Sequence, residues 1–75
     1  MKIKDIFTDG VRRLNQVGII ESELEVSLFL ADLLNIDRTT LLLAEDWTLD
    51  AGQLEKFEKN ILRRLQREIE VLSRH

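Results

Sequence analysis

The stretch Ser22-Glu23-Leu24-Glu25-Val26-Ser27-Leu28-Phe29-Leu30-Ala31-Asp32-Leu33-Leu34 decides the fold. It opens on Ser-x-x-Glu, the pattern of a capping box. In that motif the Ser22 hydroxyl accepts the Glu25 N–H and the Glu25 carboxylate reaches back to the Ser22 N–H. Behind this start, Leu24, Leu28 and Ala31 share one line at helical spacing. Val26, Phe29, Leu30, Leu33 and Leu34 spread over the other faces, and Glu25, Ser27 and Asp32 leave only a narrow polar strip. A surface helix carries one apolar stripe. A helix apolar nearly all round belongs in the middle of other elements. The sequence therefore predicts a central helix over 22–34 with the rest of the chain wrapped around it.

Working outward toward the N-terminus, Ile3, Ile6, Phe7, Val11, Leu14 and Val17 recur every three or four residues, a helix over 2–17 with one apolar face. Gly18 is placed to end it. With Gly18 as the left-handed residue after the cap, Ile19 and Leu14 form the apolar pair of a Schellman motif. On the other side of the central helix, Asn35 is a stop and Asp37 a cap for a short helix from Arg38 to about Ala44. Leu41, Leu42 and Leu43 are expected to turn inward from it. Glu45-Asp46-Trp47-Thr48 reads as a loop. Asp50-x-x-Gln53 is a second capping box, with Leu49 and Leu54 spaced as its hydrophobic staple. Leu54, Phe57, Ile61, Leu65, Ile69 and Leu72 then run down one face of the last helix. That helix is expected to reach about Arg67. Residues 68–71 either carry it on toward Arg74 or begin an extended segment of period two.

The expected fold is all-α: one domain over 1–75, a compact bundle of four to five helices around the buried helix 22–34. The absence of proline and the presence of only three glycines agree with this. There is no cysteine and the one histidine is His75, so stability must come from apolar packing and capping. Lack of cysteine suits a reducing cytoplasm. No apolar run approaches the ~20 residues of a membrane span. Residues 1–50 carry five Lys/Arg against ten Asp/Glu, and residues 51–75 carry six against four. That balance lacks the dense basic face of a nucleic-acid binder.

Catalytic patterns are missing. A Ser–His pair would have to use a terminal imidazole. The acidic groups Glu21/Glu23/Glu25 and Glu45/Asp46 sit at helix starts and loops, where carboxylates stay ionised. Gly10, Gly18 and Gly52 are isolated and build no phosphate-cradling loop. Three places invite a partner. Trp47 reads either as a loop anchor at an interface or as a lid on the core whose indole N–H finds a carbonyl. Arg63, Arg64 and Arg67 either face a partner or pair with Glu68 and Glu70 near a helix C-terminus. Arg38, followed by Thr39, begins a helix, where a cation has the wrong sign for the helix dipole. That inconsistency marks it as a contact candidate.

The order of these pieces resembles the N-terminal helical domain of the HemK/PrmC family, the release factor glutamine methyltransferases. The matching residues are Met1-Lys2-Ile3-Lys4-Asp5-Ile6-Phe7 with Leu14; Gly18-Ile19, Glu21-Ser22, Glu25 and Leu28-Phe29-Leu30-Ala31; Asp37-Arg38-Thr39 with Leu41-Leu42; and Leu49-Asp50 with Arg63-Arg64. Two departures stand out. Arg67-Glu68-Ile69 replaces the family's Gly-Glu-Pro, and Val26-Ser27 replaces its Ala-Glu. The methyltransferase part, with its glycine-rich cofactor loop and Asn-Pro-Pro-Tyr, has no counterpart here, so the resemblance implies an excised domain or a stand-alone relative. It further implies a non-catalytic accessory domain that helps hold a peptide-chain release factor. S-adenosylmethionine would bind in the separate catalytic domain, which would be the second partner. Arg38, Thr39 and Trp47 are the expected contact residues. The rival expectation is a stand-alone adaptor or self-associating bundle using Ile69, Val71 and Leu72.

Overall fold

The computed structural model describes residues 1–73, with side chains through Val71. Among them are four helices: α1 (Ile3–Gln16), α2 (Ser22–Leu34), α3 (Arg38–Leu43) and α4 (Ala51–Ser73). Helix α2 packs against each of the other three, and α1 also meets α4. Its Val26, Leu30 and Ala31 are buried, and they meet Leu14 of α1 and Phe57 and Ile61 of α4 in one core. The expectation of a central helix is met, with one exception. Leu28 is half-exposed, so α2 keeps a wet edge wider than its polar residues alone would give.

The ends of α1 and α2 follow local chemistry. The Gly18 N–H donates to the Asn15 carbonyl and the Ile19 N–H to the Leu14 carbonyl, with Gly18 at φ 85°, which completes the Schellman motif. Helix α2 ends by the same device with asparagine in the glycine's place. Asn35 has φ 55°, its N–H donates to Asp32, and the Ile36 N–H donates to Ala31. The Asp37 carboxylate accepts the Thr40 N–H at 2.7 Å and caps α3. Asp50 and Gln53 exchange bonds of 2.7 and 3.0 Å at the start of α4, the expected capping box. Thr40's backbone N–H, then its hydroxyl, holds the Asp37 carboxyl below its ordinary value. The sign follows from linkage. A depressed carboxylate stabilises the fold above its unfolded pKa of about 4, and the contribution vanishes as pH falls through the lower folded value. Asp37→Ala should therefore lower the melting temperature near neutral pH. The gap to the wild-type chain should close on acidification below about pH 4, as followed by circular dichroism.

Three expectations need correction. Ser22 does not cap α2. The cap is Glu21, whose carbonyl accepts the Glu25 N–H. The buried Ser22 hydroxyl instead donates to Asn15 Oδ1 at 2.5 Å, tying α2 to α1. Glu25 turns outward to Arg64 of α4, 2.6 Å from its Nε. Both members of the supposed box are spent on neighbouring helices. Second, only Leu41 of the three leucines in α3 turns inward; Leu42 and Leu43 are 77% and 81% exposed. Successive residues stand about 100° apart on a helix, so three in a row cannot share a face. Third, α4 does not stop at Arg67, nor does an extended segment begin at Glu68. Nothing there breaks a helix. Ile69 repeats the Leu65 spacing, and Glu68 accepts Arg64 Nη1 at 3.0 Å across one turn. Leu72's side chain, Arg74 and His75 lie outside the described residues.

Candidate partner-binding surface

The start of α1 positions the surface. Its N-cap, Lys2, has no capping side chain. The 45–48 loop supplies the missing acceptors. The Trp47 carbonyl takes the Ile3 N–H at 2.8 Å and the Glu45 carbonyl takes the Lys4 N–H at 3.0 Å. Asp46 adds ion pairs to Lys2 and Lys4 at 3.6 and 3.7 Å. Both are exposed and contribute little. The loop that follows α3 is thereby clamped to the start of α1, and the short helix rides on α2 with its outer face in water.

Beside α3 lie two adjoining depressions. One, of about 290 Å³, is lined by Ser27, Arg38, Thr39, Leu41 and Leu42. The other, of about 320 Å³, shares Ser27, Leu41 and Leu42 with it and extends to Phe7 and Leu30. The floor is apolar, Lys4 and Glu45 stand at the far end, and Arg38 marks the near rim. The structure brings Arg38 and Thr39 together on this rim. Trp47 lines neither depression. Its backbone belongs to the clamp, and the residue as a whole is 50% exposed, neither a sealed lid nor a free tip. The arrangement suits recognition: an apolar trough, a cation at one end and two leucines standing out beside it.

The sequence predicts Leu42 and Leu43 as core, and the structure turns both outward. The warning was available in their being consecutive in a helix too short to turn all of them under. Arg64 belongs to the scaffold: bonds to Glu25 and then to Glu68 raise its pKa. Arg13 is used likewise, held by Glu58 at 2.6 and 2.9 Å, and its pKa is raised chiefly by that contact. The Arg12 guanidinium is the main cause that lowers Asp9. Arg63 and Arg67 make no ion pair among the described residues.

Among the described residues no three His, Cys, Asp or Glu side chains gather as a metal site. Gly10 is buried inside α1 against Phe57, Gly18 ends α1, and Gly52 lies in the first turn of α4. None of the three lies in a glycine-rich loop. No helix among the described residues is long and apolar enough to cross a membrane.

A family model described as the PrmC N-terminal domain matches residues 5–68. The chain belongs to that family. The match takes in all of α1 except its first two residues, then α2, α3 and most of α4. A bifunctional methyltransferase of Rickettsia conorii is 36% identical over 66 residues, which are 88% of this chain and 13% of that protein. The chain thus spans only a small part of that relative's length. No solved structure matches the chain. In this PrmC N-terminal domain, α3 and its flanking trough combine exposed leucines with a cation.

Proposed function

We propose that this domain is the non-catalytic recognition part of a protein-glutamine N-methyltransferase and that it binds the peptide-chain release factor substrate. The carrying observation is membership of the PrmC N-terminal domain family over residues 5–68. The size of the related methyltransferase, of which this chain spans 13%, supports a division of labour. A separate domain binds S-adenosylmethionine and methylates the release factor's glutamine. This domain adds affinity and orientation, in the cytoplasm, as part of translation termination. Tethering the substrate in this way raises the local concentration of its glutamine to about the millimolar range. Arg38 and Thr39 at the trough rim make the polar contacts, Leu42 and Leu43 the apolar ones, and Trp47 extends the contact from the neighbouring loop.

Calorimetric titration of the chain with a bacterial release factor tests this. Arg38 is exposed and its charge is unfavourable at a helix start, so Arg38→Glu should not lower the melting temperature. It should weaken binding about fivefold, the scale of one exposed charge contact. Leu42→Glu should weaken it more, by removing an apolar anchor from the interface centre. Equal affinity for all three proteins would contradict the assignment. One observation favours a second reading. Ile69 and Val71 are about half-exposed near the end of α4, as an adaptor or self-associating bundle would use them. A dimer in sedimentation velocity that Ile69→Lys dissolves would favour it.

A further inference from the structure

Away from α3, the groove between α2 and α4 has a different chemistry. Lys56, Lys59, Asn60, Arg63 and Arg67 recur at helical spacing and fall in a stripe about 100° wide on α4. Two adjoining depressions, of about 360 and 340 Å³, follow this stripe and share Asn60 and Arg63. Leu33 and Phe29 of α2 form their apolar floor. Glu25 and Arg64 also line the second depression, and the acidic groups in and beside the groove are largely engaged by other cations. Glu58 is held by Arg13, and Glu25 and Glu68 by Arg64. Lys59 pairs with Glu55 at 3.3 Å, both well exposed, and Asp32 lines the groove's edge. Lys56, Arg63 and Arg67 make no ion pair among the described residues. A chain of net charge −3 thus concentrates unpaired cations along one groove.

We infer that the α2–α4 groove docks an acidic amphipathic helix of a protein partner. The cations are spaced every three or four residues, a rise of about 5–6 Å per step. Carboxylates at i and i+4 on an opposing helix have the same spacing, so each can meet its own cation. An apolar stripe beside those carboxylates would cover Leu33 and Phe29, the groove-binding mode of helical peptides. A nucleic-acid backbone matches less well. It has nothing to lay on the apolar floor, and three unpaired cations would give only weak, salt-sensitive binding. The inference goes beyond the release factor reading and does not depend on it.

The probe is a fluorescein-labelled helical peptide of about 18 residues, with glutamates at i, i+4, i+7 and i+11 and leucines on the adjacent stripe. Anisotropy should show saturable binding to the whole chain. Binding should weaken about tenfold on replacing the peptide's glutamates by glutamine, and by a similar factor in Arg63→Glu/Arg67→Glu. Lys56→Glu is the second variant should that double substitution disturb folding, and amide shifts at Leu33 and Asn60 should mark the site. Lack of saturable binding would overturn the inference. So would equal binding of the glutamine peptide, indifference to the charge reversals, or tighter binding of an oligouridylate of equal charge.

Discussion

Phe57→Ala should cost about 3–5 kcal/mol, the range for emptying a buried aromatic site. Phe57 is the largest of the fully buried side chains and sits where α4 meets both α1 and α2. A domain of this length has roughly 4–11 kcal/mol of stability in all. One truncation therefore removes a large share of it. The melting temperature should fall by at least about 12 °C. No disulfide or metal cluster is present among the described residues to offset the loss. Urea unfolding monitored by circular dichroism gives the number directly. A loss below about 1 kcal/mol would mean that the helices do not depend on this junction.

Gly10→Val should be the second most damaging change, at about 3 kcal/mol, the upper end for overpacking. Gly10 lets α1 approach Phe57 of α4 and Val26 of α2 closely. A Cβ there would stand 3.1 Å from Phe57 Cζ and 3.3 Å from both Val26 methyls. Alanine is a near balance. Its better helix propensity, worth about 1 kcal/mol, opposes the close contacts of its Cβ with Phe57 and both Val26 methyls. Valine adds two more carbons with no space for them. The two changes should also couple. Phe57→Ala opens the volume that valine needs, so the double variant should be more stable than the sum of the two losses implies, by about 1 kcal/mol or more. Simple additivity would show that the Cβ clash is relieved by moving α1 and not by the ring.

How far the sequence reveals this architecture depends on where each partner lies. The Gly18 stop, the Asp37 cap and the Asp50–Gln53 box all close within five residues, and each was readable. The start of α2 was not, because Ser22's partner is on α1 and Glu25's is Arg64, 39 residues on. Local chemistry offered a complete motif, and tertiary contacts took both of its members. The end of α4 is ambiguous in the sequence because an alternating Glu68-Ile69-Glu70-Val71 pattern suits an extended segment as well as it suits a helix edge. The absence of any glycine or proline there was the better guide. The contact surface was half visible. Arg38 announced itself by a charge unsuited to its helix end. For Leu42 and Leu43 the sequence shows only that three consecutive leucines cannot share one helix face; which of them turns outward depends on how the 45–48 loop holds α3 through backbone bonds to α1.

The proposed recognition of a release factor through the α3 surface of this PrmC N-terminal domain can be read residue by residue in a two-dimensional amide spectrum of the isotopically labelled chain, titrated with unlabelled release factor to saturation. Shifts or broadening should centre on Ser27 and on Arg38 to Leu43, with Trp47 included and the far face of α1 around Arg12 unaffected. A spectrum unchanged at saturating release factor, or changes that leave α3 untouched, would contradict it.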